Sequence, residues 1–206
     1  MLKIWGRKNS INVIKVLWAC DELGLKYERV DVGGAFGGLD KPEYLALNPN
    51  SRIPTIEDDG FVLWESNVIV RYLSSKYGTG TLYPGDLRTR AEADRWMEWQ
   101  QTEAAPPMFP IFWGFVRTPP EKRDMAAIEK ARVTLAKVLK TLDARLANNR
   151  FVADDSFTMG DIPIGCLIFR WFTLPIERPP LPNVEAWYKR LSERPGYKTH
   201  AMQPLT

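Results

Sequence analysis

The sequence predicts an α/β domain at the N-terminus followed by an all-helical domain. Up to Tyr77, short β-prone segments alternate with helical patterns in the order β-α-β, short helix, β-β-α. Residues 78–86 contain several glycines and a proline, and from residue 87 onward the apolar residues recur only at helical spacing. We therefore expect an α/β domain over residues 1–77, a linker over residues 78–86 and a helical domain over residues 87–206.

The first half of the α/β domain contains two strands and two helices. A strand is predicted over Leu2–Trp5, followed by a helix whose apolar residues stop at Gly24, a favourable helix end. We expect a second strand over residues 27–32 and a short helix over Pro42–Leu47. The glycines of residues 33–38 lack the Gly-Lys-Ser/Thr ending of a phosphate loop and the setting of a dinucleotide fingerprint. No nucleotide site is therefore predicted.

The second half of this domain centres on Pro54. A proline cannot donate to a β-ladder and is confined to the start of a strand, an edge or a bulge, so we expect Pro54 to open a strand. A tight Asp59-Gly60 turn then predicts a hairpin, whose second strand covers residues 61–63. A helix begins at Glu65 and Ser66, where a cap or a first-turn acid is favoured.

This arrangement suits a small peptide ligand. The backbone groups of Ile53, before the proline, are free to pair with an extended peptide, and the N–H groups at the helix start suit a carboxylate. The segment resembles the glutathione-binding core of the cytosolic glutathione S-transferases, whose thioredoxin-like domain carries a cis-proline and an acid-serine pair. The resemblance implies that Ile53 and Pro54 bind the cysteinyl backbone of glutathione and that Glu65 and Ser66 hold its γ-glutamyl end.

The helical part also resembles this family. Thr158 and Asp161 form a predicted capping pair before a buried helix, a pattern that the family shares at this place. The resemblance thus spans nearly the whole chain and implies the glutathione S-transferase fold, a thioredoxin-like domain followed by an all-helical domain. We expect Pro106, Pro107 and Pro110 to break or kink the first helix. Helices are expected over residues 88–105, 121–149, 165–174 and 184–191, with an irregular tail from Pro195.

The resemblance places the thiol-activating residue just after the first strand. Ser10 and Asn12 are the candidate donors, and we favour Ser10 with Asn12 as a helper. Lowering a thiol pKa of ~8.5 by about two units requires roughly 2.7 kcal/mol, which one hydrogen bond to the thiolate and a helix N-terminus can supply. Either residue could instead be only the helix N-cap. The absence of a nearby cysteine argues against a glutaredoxin-like mixed disulfide.

Further contacts to both substrates follow from the resemblance. Lys41 and Arg52 are candidates for the glycyl carboxylate of glutathione, although Lys41 is equally compatible with a plain surface position. Dimers of the family lend a polar residue from the neighbouring subunit, and the candidates here lie at residues 101–103. The second substrate is expected on an apolar wall, although core packing is the alternative for most of its members, which are Phe109, Phe112, Trp113 and Trp171.

Composition excludes several other classes of protein. The formal net charge of +3 is too small, and the basic residues too dispersed, for a nucleic-acid-binding protein. No apolar run reaches ~18 residues, and no signal-peptide pattern opens the chain, so neither a membrane span nor secretion is expected. Cys20 and Cys166 lie in apolar helical patterns and His200 has no partner histidine, so we expect no disulfide and no metal site. A reducing cytoplasm is the simplest setting.

The expected function is glutathione transfer to a small hydrophobic electrophile. Conjugation, peroxide reduction and dehalogenation all use the same thiolate, and the resemblance implies a homodimer. Two alternatives stay open. A non-catalytic binding or assembly module of the same fold often has eroded glutathione contacts, whereas Ile53-Pro54, Glu65-Ser66 and Ser10 are all present here. A glutathione-dependent isomerase of the maleylacetoacetate type usually carries an arginine where this chain has Ile14.

Overall fold

The first part of the chain is built on one four-stranded sheet. The computed structural model describes residues 1–206. The sheet order is β2-β1-β3-β4, in which β2 is parallel to β1 and the other two pairs are antiparallel. This mixed sheet confirms the predicted α/β type. The strands are β1 (Leu2–Trp5), β2 (Tyr27–Val30), β3 (Thr55–Asp58) and β4 (Phe61–Trp64).

The predicted hairpin joins β3 and β4. Pro54 directly precedes β3, and the two-residue turn Asp59-Gly60 has φ values of 51° and 84°, the positive values that a tight hairpin turn of this length requires. The register pairs Thr55 with Trp64. The hairpin therefore brings Pro54 and Glu65 side by side at one end of the sheet.

Three helices complete this part of the chain, α1 (Ile11–Glu22), α2 (Pro42–Leu47) and α3 (Ser66–Tyr77). α1 packs against α3, and the connection from β1 to α1 runs close beside α1 itself. At Gly6 in this connection φ is 150°, and a Cβ atom there would lie 2.5 Å from a methyl group of Val13. Glycine at this position therefore permits both the backbone conformation and the close approach.

Beyond α3 the chain is helical. Arg71 of α3 forms ion pairs with Asp94 at 2.5 Å and with Glu98 at 2.9 Å, which join the two parts of the molecule. No helix of the chain has the length and apolar character that a bilayer crossing needs. The helices are α4 (Leu87–Trp99), α5 (Ala105–Phe112), α6 (Met125–Leu146), α7 (Asp161–Thr173), α8 (Pro182–Ser192) and α9 (Pro195–His200).

The proline-rich segment after α4 differs from expectation. Instead of breaking the helix, the chain continues through a π-helical turn at Gln100–Ala104, then α5, then a second π-helical turn at Trp113–Arg117. Pro106 and Pro107 lie in the first turn of α5, where a helix does not need the missing N–H group. The aromatic residues of this segment therefore lie on a helix, at fixed spacing.

The C-terminal tail also differs from expectation, because it forms α9 rather than an irregular segment. Pro195 is the first residue of α9, a position that suits its fixed φ. Tyr197 is fully buried and donates a hydrogen bond of 2.8 Å to the carbonyl of Gly165 in α7. α9 packs against α1, so the tail closes the back of the α/β part.

One apolar core runs through both parts of the chain. Trp18 of α1 is fully buried, and its ring centroid lies 4.7 Å from that of Tyr197. A Cβ atom at Gly165 of α7 would lie 2.9 Å from the Trp18 ring, so this glycine lets α7 approach α1 closely. The position of α1 is therefore set by both parts of the molecule.

The predicted pair of Thr158 and Asp161 is present at the start of α7. The Asp161 carboxylate accepts hydrogen bonds from the Thr158 amide at 2.9 Å, the Val152 amide at 3.0 Å and the indole N–H of Trp187 at 2.9 Å. Because Asp161 is fully buried, these donors depend on it for their hydrogen bonds. The pair therefore ties the α7 start to α8, and the Thr158 hydroxyl also accepts from the Gly160 amide at 3.3 Å.

Candidate active site

A cleft of about 480 Å³ opens between the two parts of the chain. Its floor comes from the start of α1, the turn before β3 and the start of α3, and its opposite wall comes from α5, the preceding π-helical turn and α7. Side chains from six separate segments thus meet around one space. The lining residues are Ile11, Asn12, Lys15, Asn48, Asn50, Arg52, Ile53, Pro54, Glu65, Ser66, Gln100, Gln101, Ala105, Met108, Phe109, Leu167 and Arg170.

The turn before β3 presents free backbone groups to this cleft. The Ile53–Pro54 peptide bond is cis. The carbonyl of Arg52 accepts hydrogen bonds from the Tyr44 hydroxyl at 2.6 Å and from the Asn48 side-chain amide at 2.9 Å, which fix the turn from below. The N–H and C=O groups of Ile53 form no hydrogen bond within the protein. They are available to a peptide lying in the cleft.

The start of α3 forms the next part of the floor. Glu65 has φ 73° and ψ 110°, a backbone conformation that L-residues rarely adopt. Such a conformation costs about 1–3 kcal/mol and is found mostly at binding and catalytic sites. It places the exposed Glu65 at the cleft immediately before the buried Ser66, whose position is the first of α3.

Lys15 lies beneath Ser66 with no carboxylate partner. Its side chain is 3% exposed, and its Nζ atom donates to Ser66 Oγ at 3.4 Å, Asn67 Oδ1 at 3.1 Å and Gln100 Oε1 at 3.2 Å. All three acceptors are neutral. Burial lowers the pKa of Lys15 from 10.5 to about 8. The cleft floor therefore holds a buried ammonium group that has no carboxylate in direct contact.

The N-terminus of α1 also faces the cleft. The amide groups of Ile11, Asn12 and Val13 form no hydrogen bond within the protein, as expected for a first helical turn, and that turn contains no acidic residue. Asn12 is exposed and lines the cleft together with Ile11. The positive end of the helix dipole is thus available to an anion here.

Ser10, the favoured donor, has a different place. It occupies the N-cap position of α1, its side chain makes no capping hydrogen bond, and it does not line the cleft. Its backbone carbonyl accepts the amide of Ile14 at 2.8 Å, which starts the helix. Of the two candidate donors, Asn12 is therefore the one that the fold brings to the cleft.

The expected apolar wall is only partly assembled in the cleft. Phe109 lines it, is 59% exposed and stacks on Trp113 at 5.3 Å, whereas Trp113 lies outside it. Phe112 is buried next to the cleft beneath Arg170, and Trp171 is fully buried in the core. Phe109 and Phe112 lie one turn apart on α5, but Arg170 covers the Phe112 ring, whereas Phe109 stays exposed at the cleft. Met108 and Leu167 complete the apolar lining.

Of the two basic candidates for the glycyl carboxylate, only one lines the cleft. Arg52 is exposed and lines the cleft, whereas Lys41 is an exposed N-cap residue of α2 outside it. Gln101, considered as a residue lent to a neighbouring subunit, lines the cleft of its own chain.

Cys20 and Cys166 are unpaired and buried, and burial raises the pKa of both thiols to about 12. Neither thiol lies in the cleft.

Sequence reasoning missed two charged residues of the cleft, Lys15 and Arg170. Both left a signal. Lys15 is the only charged residue of α1 before Asp21, and it lies between the apolar residues Ile14 and Val16. Arg170 is the only charged residue between Asp161 and Thr173 in α7. A lone charge on a buried helix indicates a site, because burying it without a partner is costly.

Comparison with known proteins identifies the family. Residues 1–75 match the family model "Glutathione S-transferase, N-terminal domain" and residues 104–195 match "Glutathione S-transferase, C-terminal domain". The chain is 40% identical to the glutathione S-transferase GstB of Escherichia coli K12, with all of both chains covered. It is 35% identical to glutathione S-transferase 3 of Zea mays, covering 99% of this chain and 95% of that one.

Solved structures agree with this result. The theta class glutathione S-transferase from the citrus canker pathogen Xanthomonas axonopodis pv. citri, with glutathione bound, is 49% identical, superposes with a TM-score of 0.96 and covers 100% of this chain and 99% of that chain. The apo form of that enzyme gives a TM-score of 0.87 at 43% identity, with 100% and 98% covered. The chain belongs to the glutathione S-transferase family.

Proposed function

We propose that this cleft binds glutathione and activates its thiol for attack on a small electrophile. One observation carries the proposal. The unpaired N–H and C=O groups of Ile53 lie in the same cleft as the unpaired first-turn amides of α1. An extended peptide that pairs with Ile53, as an added strand does, brings its cysteine to the positive end of a helix.

The two ends of glutathione bind to residues on either side of Ile53. The γ-glutamyl end carries an amino group and a carboxylate. Glu65 complements the amino group. The carboxylate accepts from the Ser66 hydroxyl and from the buried ammonium of Lys15, where it replaces the long 3.4 Å bond to Ser66 Oγ. Arg52, at the other side of Ile53, binds the glycyl carboxylate with its planar fork. Lys41 has no part in this arrangement because it lies outside the cleft.

Asn12 and the first-turn amides of α1 stabilise the thiolate. Their N–H groups donate to the sulfur, and Ser10 contributes by starting the helix rather than by contact. A hydrogen bond to a charged group is worth roughly 1.5–3 kcal/mol, and a partly buried helix terminus adds up to about 2 kcal/mol. Together these suffice for the roughly 2.7 kcal/mol that lowers a thiol pKa by two units.

The electrophile binds against the side of the cleft opposite Ile53. Phe109, Met108 and Leu167 provide the apolar surface there. In conjugation, the thiolate sulfur forms a bond to an electrophilic carbon while the bond to the leaving group breaks, and the leaving group takes the electron pair. The thiol proton has already passed to solvent when the thiolate forms.

A second copy of the chain completes the proposed assembly, and the setting is the cytoplasm. Phe61 and Trp64 of β4 and Val68 of α3 are exposed by 51%, 37% and 40%. A second copy of the chain covers these exposed apolar side chains in the proposed homodimer. A reducing compartment suits both the thiol form of glutathione and the two unpaired cysteines.

The test is an ultraviolet difference titration of the protein with glutathione, in which thiolate absorbance is followed against pH. We expect the bound thiol to ionise with a pKa of about 6.5 or below, two units under its free value. Binding without this shift would indicate a non-catalytic ligand-binding module. Absence of binding at millimolar glutathione would refute the proposal and favour an assembly module.

A further inference from the structure

Arg170 is a mostly buried cation that no protein group neutralises. Its guanidinium carbon lies 3.6 Å above the centre of the Phe112 ring, and its side chain lines the cleft. No carboxylate, carbonyl or hydroxyl of the chain accepts a hydrogen bond from it. Other partly buried arginines differ, since Arg178 donates to three carbonyls and Arg194 to Glu22.

The surroundings of Arg170 favour the binding of an anion beside it. Burial, with repulsion from Arg117 and Arg7, lowers the pKa of Arg170 to about 10. Glu65 is the only acidic residue that lines the cleft, and it belongs to the floor at the start of α3. The wall formed by α7 is therefore positive without a counter-charge.

The contacts of the guanidinium favour a carboxylate. Its central carbon lies over the Phe112 ring, which restrains the group through a cation–π contact. The N–H groups on its edge remain free, and their fork matches the two oxygens of a carboxylate. Leu167, one turn earlier on α7, and Met108 supply apolar contact for the carbon atoms next to that carboxylate.

We propose that Arg170 binds a carboxylate carried by the electrophile, so that small anionic electrophiles such as α-halo carboxylic acids are the favoured substrate class. This inference rests on the proposed function. The glutathione thiolate attacks the carbon next to the carboxylate, a sulfur–carbon bond forms, and the carbon–halogen bond breaks. The halide leaves with the bonding electrons, and the product is the S-carboxyalkyl conjugate of glutathione.

The experiment compares iodoacetate with iodoacetamide. These two react with thiolates in the same way and differ mainly in the charge that Arg170 is proposed to bind. Because Cys20 and Cys166 are buried, alkylation of the protein itself is slow. Rates of glutathione conjugation are measured as kcat/KM, corrected for the uncatalysed reaction, in the wild type, Arg170→Met, Arg170→Lys and Arg117→Met.

We expect Arg170→Met to lower kcat/KM for iodoacetate by about 100-fold and for iodoacetamide by less than about threefold, since a hydrogen-bonded charge pair is lost only with the acid. Arg170→Lys keeps the charge without the fork and restores part of the iodoacetate rate. Arg117→Met is the matched control. It removes an equally charged, exposed side chain that donates to the Thr206 carbonyl outside the cleft, and it should leave the ratio of the two rates unchanged within about threefold.

Three outcomes overturn the inference. Equal losses on both substrates in Arg170→Met, with a raised thiol pKa of bound glutathione, would show that Arg170 acts on the thiolate. Unchanged rates for both substrates in Arg170→Met would show that Arg170 binds neither. If the wild type neither conjugates iodoacetamide nor lowers the thiol pKa, the proposed function itself fails, and that result is distinct because it does not involve Arg170.

Discussion

The buried ammonium of Lys15 makes a sharp prediction about glutathione binding. Replacing Lys15 with methionine keeps the volume of the side chain and removes its charge. If Lys15 binds the γ-glutamyl carboxylate, Lys15→Met should weaken the binding of glutathione by roughly 10- to 100-fold, the cost of losing one hydrogen bond to a charged group. The effect of Lys15→Met on the free energy of unfolding should depend on pH.

The magnitude for stability follows from the pKa. Burial lowers the pKa of Lys15 from 10.5 to about 8, so at neutral pH the folded protein holds this charge at a cost of about 3 kcal/mol. Between pH 8 and 10.5 the unfolded chain binds the proton and the folded chain does not, so the contribution of this group to the free energy of unfolding rises with pH. Urea unfolding should show that rise in the wild type relative to Lys15→Met.

The same pKa predicts proton uptake when the ligand binds. A carboxylate beside Lys15 restores its pKa towards 10.5, so at pH 8.5 the group, which is only about one quarter charged in the free protein, becomes almost fully charged. Binding of S-methylglutathione, whose thiol is blocked, should therefore take up about 0.75 proton more in the wild type than in Lys15→Met. Calorimetric titration in buffers of different ionisation enthalpy measures this number.

Lys140→Met is the control, since it removes an exposed lysine of α6 outside the cleft. Its proton uptake and its affinity should equal those of the wild type. A difference in uptake of less than about 0.2 proton between wild type and Lys15→Met would refute the reasoning, because the carboxylate would then leave the Lys15 proton equilibrium unchanged. Unchanged affinity in Lys15→Met would refute it independently.

Three further predictions concern the thiol site and the framework that holds it. Asn12→Ala should raise the thiol pKa of bound glutathione by about one unit or more, whereas Ser10→Ala should change it little, as measured by thiolate absorbance; the opposite order would restore Ser10 as donor. Asp161→Ala removes the acceptor of three buried N–H groups and should lower the free energy of unfolding by roughly 3–6 kcal/mol in urea, with Asp161→Asn losing about half as much. Gly6→Ala should cost about 1–3 kcal/mol, because its Cβ would lie 2.5 Å from a methyl group of α1, while Gly85→Ala, with open space around it, should be neutral. Equal stability of the two glycine variants would contradict this account.

Much of the fold could be predicted from local rules. The Asp59-Gly60 turn, the proline that opens β3 and the short helix after Pro42 each depend on residues within a few positions of one another. The effect of the α5 prolines on the helix could not be predicted from local rules. Their effect depends on whether they fall in a first turn, and the π-helical turn at Gln100–Ala104, which puts them there, has no local signature in the sequence.

The site was less accessible to sequence reasoning because it depends on which way a helix faces. Ser10 and Asn12 are two residues apart, so at the start of a helix they point in different directions, and only the three-dimensional structure shows that Asn12 faces the cleft. Trp171 and Arg170 are neighbours on α7, yet the first is in the core and the second in the cleft. When a helix is apolar on every side, composition and spacing alone do not tell which of its faces points towards the cleft.

The contact between Trp18 and Gly165 holds the two walls of the cleft at a fixed distance. α1 carries the proposed thiolate donors at its N-terminus, and α7 carries Leu167 and Arg170 on the opposite wall. Because a Cβ atom at Gly165 would lie 2.9 Å from the Trp18 ring, these helices touch only one to two turns from those residues. The separation of the two cleft walls is thus fixed by a packed aromatic contact, and rigid elements of this kind are what the proposed reaction requires for a near-attack geometry.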